Sequence, residues 1–185
     1  MEFSMAATSG YTRTAIGLHW LIALLIIGGF AVGLYMTSLE GLSLTKLKLY
    51  SWHKWIGVTV FLLALLRVIW RFVHGAPSVV PGMPAWQARA AHAAHLLLYV
   101  LIVAVPLTGF LMSQAAGIPV VYFGLWELPT VVASDEALKA GMQQAHVILN
   151  YLMAALVAVH ALAAFKHHFI HRDGTLARML PFIKS

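Results

Sequence analysis

Four stretches of the chain are apolar and long enough to cross a lipid bilayer as helices. They cover about residues 15–36, 52–72, 92–112 and 145–165, and a membrane-spanning helix needs roughly 20 residues. Only 10% of the residues are charged and 61% are hydrophobic, whereas a soluble domain carries about a quarter charged residues. The sequence therefore predicts an all-α, four-helix integral membrane bundle that forms a single domain over residues 1–185.

The connections are predicted near residues 37–51, 73–91 and 113–144. The last is long enough to carry a short surface helix around residues 135–142. Lysine and arginine collect on the cytoplasmic side of membrane proteins, and eight of them fall on one side of these spans: Arg13, Arg67, Arg71, Arg89, Lys166, Arg172, Arg178 and Lys184. Both termini are therefore predicted to be cytoplasmic. Because topology explains these positive charges, nucleic acid is not predicted as a partner.

The ten histidines carry most of the functional information. His146 and His160 lie fourteen residues apart on the fourth span, which is ~21 Å along a helix and within about 40° of the same face. His19 lies at the depth of His160, near the predicted cytoplasmic or inner end. His53 lies level with His146, near the predicted periplasmic or outer end. The sequence thus predicts one histidine pair near each membrane surface.

Two imidazoles on one iron are a common way for a helix bundle to hold haem for electron transfer, because they leave no open coordination position. The chain has no cysteine, which excludes iron–sulfur clusters and covalently attached haem. A single membrane histidine could equally form only a hydrogen bond between helices. Polar groups inside a bilayer are costly and usually functional, so four histidines that pair by depth favour two non-covalent haems.

Several local motifs give the chain a resemblance to a known family from about residue 11 to residue 181. They are Gly17-Leu18-His19-Trp20, His53, the Arg67 and Arg71 pair, His92-Ala-Ala-His95, Pro106-Leu-Thr-Gly109, His146, His160 and Lys166-His167-His168. The chain resembles the bacterial cytochrome b561 family, which is similar to the haem b subunits of formate dehydrogenase and nickel–iron hydrogenase.

The resemblance implies a multi-pass protein of the bacterial inner membrane with two b haems per chain. It implies His19 and His160 as the axial ligands of one iron, and His53 and His146 as those of the other. It also implies electron transfer between a periplasmic donor and the quinone pool, since some members of the family oxidise superoxide in this way.

Four further residues near the inner end are candidates for cofactor binding. His92 and His95 could replace His19 as a ligand, donate to a haem propionate or line a quinone pocket, and the last two roles are favoured. Arg67 and Arg71 could pair with propionates, or they could simply anchor the helix at the membrane surface.

Three functions remain open on the sequence alone. The chain could act by itself on a small anionic donor, which the basic patch of Lys46, Lys48 and Lys54 would attract. It could instead be the haem anchor of a larger periplasmic dehydrogenase, or accept electrons from a redox protein, with residues 113–144 as the docking surface. A histidine-based transporter is a distant third, because all six acidic residues lie outside the spans. A homodimer also stays open.

Overall fold

The computed structural model of the protein describes residues 10–183. Its main elements are α1 (Arg13–Ser38), α2 (Leu44–His74), α3 (Ala85–Ala115) and α4 (Glu136–Lys166), and one π-helical turn (His167–His171) continues α4. All four helices are long and apolar enough to span a membrane. Each predicted span lies inside one helix, and each helix extends beyond its span. The predicted all-α membrane bundle is confirmed.

Local sequence determines where three of these helices begin. The hydroxyl of Thr12 accepts a hydrogen bond from the Ala15 amide at 3.2 Å, and the hydroxyl of Ser43 accepts one from the Lys46 amide at 3.2 Å. The carboxylate of Asp135 accepts one from the Leu138 amide at 2.8 Å. Such N-caps satisfy amides that have no partner within the helix.

The expectation of a separate surface helix at residues 135–142 is wrong. These residues form the first turns of α4, which runs without a break from Glu136 to Lys166. The physical reason is that Asp135 caps the helix, and neither a proline nor a C-cap follows before the predicted span begins. The connection between α3 and α4 is accordingly shorter than predicted, at residues 116–135.

Neighbouring helices in the chain pack against one another, α1 on α2, α2 on α3 and α3 on α4. A small apolar core lies where α2, α3 and α4 meet, formed by Ala64, Leu101, Ile102, Val105 and Met153. Many large apolar side chains of the helices point outward, as expected where lipid is the solvent.

The segment after α4 folds back over the inner end of the bundle. The indole of Trp20 donates a hydrogen bond to the Met179 carbonyl at 2.8 Å, and the guanidinium of Arg178 donates one to the Ser78 carbonyl at 2.5 Å. His167 Nδ1 and Asp173 Oδ2 are hydrogen-bonded at 2.6 Å, and Leu176 is buried. These contacts tie the C-terminal segment to α1, α4 and the connection between α2 and α3.

Candidate functional site

His53 and His146 face each other across the outer half of the bundle. Their ring centroids lie 6.0 Å apart with the planes at 85°. The Nδ1 atom of His53 lies 3.0 Å from the Gly29 carbonyl oxygen, and that of His146 lies 2.9 Å from the Val105 carbonyl oxygen. A carbonyl oxygen only accepts, so each Nδ1 carries the proton. Each Nε2 is left with the free lone pair that a metal ligand needs.

Glycines make room for both rings of this outer pair. A Cβ atom on Gly33 would lie 3.2 Å from Cε1 of His53, and one on Gly109 would lie 2.9 Å from Cε1 of His146. A Cβ on Gly29 would also meet Ile56 at 3.0 Å. The role of the two α1 glycines was missed from the sequence. Their four-residue spacing is a known signal of close helix packing in membranes and could have predicted it.

The Pro106-Leu-Thr-Gly109 motif and the residue before it surround the ring of His146. Pro106 lies inside α3, where it cannot donate to the carbonyl of residue 102, four positions earlier, and where its ring bends the backbone. The Val105 carbonyl accepts from the Thr108 hydroxyl at 2.8 Å as well as from His146. Thr108 Oγ1 also lies 3.2 Å from His146 Nδ1.

A cavity borders the outer pair and is open on one side. It measures about 410 Å³ with that open side included, and mostly apolar side chains of all four helices line it, among them Leu25, Phe30, Val60, Ile102 and Met153.

Three histidines meet at the inner end of the bundle. The ring centroids of His19 and His160 are 6.2 Å apart, and those of His95 and His160 are 5.3 Å apart. Within residues 10–183, no hydrogen bond joins any of these three rings to another group. His92 is exposed on α3, about one turn before His95, which is half-buried.

Arg67 and Arg71 place two positive charges beside this inner cluster. The Arg67 guanidinium donates a hydrogen bond to the Ala15 carbonyl at 2.7 Å. Both guanidiniums lie over the ring of Tyr99, at 5.9 Å for Arg67 and 5.8 Å for Arg71. They also line an open cavity of about 430 Å³ between the start of α1 and the end of α2. This arrangement can hold a carboxylate or another anion.

The separations of the two predicted pairs can be tested against haem. With a metal–nitrogen distance of about 2 Å and a ring radius of about 1 Å, two imidazoles on one iron have centroids about 6 Å apart. The observed 6.0 Å and 6.2 Å agree with this value. The 5.3 Å between His95 and His160 is shorter and fits a direct ring contact better. The residues therefore fit haem at both levels, and their role as axial ligands stays a prediction.

The predicted basic patch at the outer end is only partly available to a donor. The ammonium of Lys46 donates to the Leu39 carbonyl at 2.7 Å, so it serves the end of α1. Lys48 is exposed near the start of α2, and Lys54 is half-buried ten residues after the first residue of α2, Leu44.

Comparison with known proteins gives a consistent result along nearly the whole chain. The family model for prokaryotic cytochrome b561 matches residues 10–182. Cytochrome b561 homolog 2 of Escherichia coli K12 is 35% identical over 92% of this chain and 90% of its own length. Homolog 1 of the same organism is 33% identical over 92% and 97%.

A protein of Yersinia pestis that carries the name "Probable superoxide oxidase CybB" is 28% identical over 92% of this chain and 96% of its own length. Together with the four apolar helices, these matches describe a multi-pass protein of the bacterial inner membrane. The chain belongs to the prokaryotic cytochrome b561 family of membrane haem b proteins.

Proposed function

We propose that this protein is a dihaem b cytochrome that moves electrons from a small donor at its outer end to quinone at its inner end. The observation that carries the proposal is the pair of histidine separations, 6.0 Å for His53 with His146 and 6.2 Å for His19 with His160. Both fit two imidazoles around one iron. Haem supplies one-electron redox chemistry when it is bound.

Backbone carbonyls and glycines of the protein itself orient the two histidines of the outer site. The carbonyls of Gly29 and Val105 accept hydrogen bonds from Nδ1 of His53 and His146, which leaves each Nε2 unprotonated and able to bind a metal. A side chain at position 33 or 109 would meet the neighbouring ring, so the two glycines leave room for the rings in this orientation. A hydrogen bond from Nδ1 to a carbonyl also makes the imidazole a better electron donor to the metal at Nε2.

At the inner end we assign ligation to His19 and His160 and give His95 a different role. His95 lies against His160 and next to the two arginines, in a position to pass protons to quinone. Arg67 and Arg71 would pair with carboxylates of the haem or polarise a quinone oxygen. His92, which is exposed, would act at the surface of this site rather than inside it.

The proposed donor is superoxide, and the proposed acceptor is a membrane quinone. Two superoxide anions lose one electron each and become two oxygen molecules, while one quinone gains those two electrons and two protons and becomes a quinol. Support comes from the Yersinia pestis relative, whose name is that of a superoxide oxidase. Lys48 and Lys54 at the outer end would attract an anionic donor.

Two measurements on the purified protein test the proposal. The reduced-minus-oxidised visible spectrum and the extracted pigment should give b-type haem at about two per chain. Superoxide should then reduce quinone in a ratio near two to one. A colourless protein from haem-replete cells would overturn the cytochrome assignment and support a histidine relay, and one haem per chain would overturn the dihaem assignment.

A further inference from the structure

The connection between α3 and α4 contains a short hairpin that the proposed function does not use. Its strands are β1 (Val121–Tyr122) and β2 (Trp126–Glu127), and we call residues 118–128 the outer hairpin. The tip turns at Phe123 and Gly124, with φ of +51° and +71°, and the Leu125 amide donates to the Tyr122 carbonyl at 3.0 Å. Positive φ at both central residues is typical of tight hairpin turns.

The tip of the outer hairpin is apolar and uncovered. Leu125 is 74% exposed, Trp126 67% and Phe123 53%. Glu127 is the one charged residue in the outer hairpin, and it lies away from the turn. A cluster of exposed large apolar side chains at one turn commonly marks an interaction site.

The outer hairpin lies beside α2 at a depth within the predicted membrane span. The indole of Trp55 donates to the Val121 carbonyl at 2.8 Å, and the Tyr122 and Thr59 hydroxyls are 2.9 Å apart. Thr59 is seven residues past Trp52, where the predicted span begins, and this is ~10 Å along the axis. The connection therefore folds back toward the membrane instead of standing above it.

Side-chain and backbone hydrogen bonds suit this segment to a site with little water. The Leu128 amide donates to the Val120 carbonyl at 2.9 Å, and Val120 itself is buried. The buried side chain of Gln114 donates from Nε2 to the Pro129 carbonyl at 2.7 Å, and its Oε1 accepts from the Val131 backbone amide at 2.8 Å. Backbone groups that enter the bilayer need such partners.

We propose that the outer hairpin is an interfacial membrane anchor, with Phe123, Leu125 and Trp126 inserted at the boundary between headgroups and acyl chains of the outer leaflet. Its apolar surface continues the lipid-facing surface of α2 through the ring contact between Phe123 and Trp55, whose centroids are 5.2 Å apart. Tryptophan and other aromatic rings prefer this zone of the bilayer. The partner is the phospholipid surface, and the inference does not depend on haem ligation.

The chain has no cysteine, so single-cysteine variants can carry a nitroxide label at one chosen position. Leu125→Cys tests the tip of the outer hairpin. Leu42→Cys is the matched control, because Leu42 is 81% exposed in the connection between α1 and α2 at the same end of the bundle. Both labelled proteins must elute from a size-exclusion column as the parent does, and they are then reconstituted in vesicles of phosphatidylethanolamine and phosphatidylglycerol.

The measurement is the collision rate of the nitroxide with oxygen, which concentrates in lipid, and with a water-soluble nickel chelate. The label at position 125 should collide mainly with oxygen and the label at position 42 mainly with nickel. Equal nickel collisions at both positions would place the tip in water and overturn the proposal. Low collision rates with both oxygen and nickel at position 125 would mean that protein covers the tip. This result would also overturn the proposal. Trp126→Cys replaces Leu125→Cys if the latter does not fold.

Discussion

The outer and inner histidine sites share α4, but the protein holds them by different means. At the outer site, His53 and His146 are each hydrogen-bonded to a backbone carbonyl of a neighbouring helix, and each ring is in close reach of a glycine. At the inner site, His19 and His160 have no such hydrogen bond within residues 10–183, and a third histidine and two arginines stand close by.

This difference indicates that the two ends of the bundle are built for different tasks, rigid orientation of ligands at the outer site and transfer of electrons and protons at the inner site. The outer rings are oriented by the packing of the helices themselves, so their geometry should persist without a cofactor. The inner rings are surrounded by positively charged and proton-carrying groups, which suits a place where electrons and protons reach a substrate together. The variants that follow break one site at a time, beginning with the largest expected effect.

Replacing His53 with alanine should remove the outer haem and leave the inner one. The change deletes one of two proposed ligands, so the haem-to-protein ratio should fall to about half. Extracted pigment and the reduced spectrum measure this ratio. His171→Ala is the control, because His171 is exposed and lies beyond the end of α4. Two haems retained in His53→Ala would contradict the outer assignment.

A pair of variants at the inner site separates ligand from proton carrier. His19→Ala should lose the inner haem, because its partner His160 stands at the separation that fits an iron between the rings. His95→Ala should keep both haems and slow quinone reduction by roughly 10²-fold, which is typical for the loss of a general acid or base. Haem content and the rate of quinone reduction are measured on both. The reverse pattern would make His95 the ligand.

Adding one methyl group at Gly109 should weaken the outer site alone. In Gly109→Ala the new Cβ would lie 2.9 Å from Cε1 of His146, so the ring must move. A change in a residue that supports a metal ligand typically lowers the affinity for the metal about 10- to 100-fold, and we expect a loss of haem affinity in this range. Haem loss to apomyoglobin, followed separately for the two sites, measures the effect. Gly28→Ala is the matched control, since its Cβ would meet nothing within 4 Å. Equal haem loss in both variants would rule out the steric explanation.

The smallest effect is expected at the C-terminal segment that covers the inner end. Burial alone would raise the pKa of Asp173, but hydrogen bonds from Thr175 and His167 outweigh it and lower the pKa below the usual 3.8. A carboxyl with a lowered pKa stabilises the folded segment above pH 3.8, and this stabilisation is lost as the pH falls through the lowered value. The contribution is small because Asp173 is partly exposed and water screens its charge.

Amide hydrogen exchange of residues 174–180 checks this expectation. Asp173→Asn should reduce their protection slightly at pH 6, and the difference from the parent should disappear at the most acidic pH at which α3 stays protected. A difference that persists unchanged into acid would mean that the charge of Asp173 does not hold the segment.

Much of the architecture could be predicted from the sequence, because each membrane helix satisfies its own backbone and needs a fixed length of apolar chain. The pairing of the histidines by depth also followed from the constant rise per residue, and the structure brings both predicted pairs together. The start of α4 was misplaced because an apolar span does not reveal how far a helix continues into water.

The contacts of individual side chains could not be predicted, because they depend on how each helix is rotated and how closely it approaches its neighbours. The spacing of residues along one helix does not determine either. His92 and His95 are one turn apart in the sequence, yet only His95 reaches His160. The hydrogen bonds of Gly29 and Val105 to the outer rings, and the contact of the outer hairpin with α2, join residues far apart in the chain.

The sequence by itself thus determined the membrane class, the number of helices and the depth of each histidine, since these depend only on apolar length and a constant helical rise. The tertiary structure decided which atoms hold the rings and where the connection between α3 and α4 lies. Those depend on contacts between helices a few ångströms apart, where one Cβ atom or one free carbonyl changes the result.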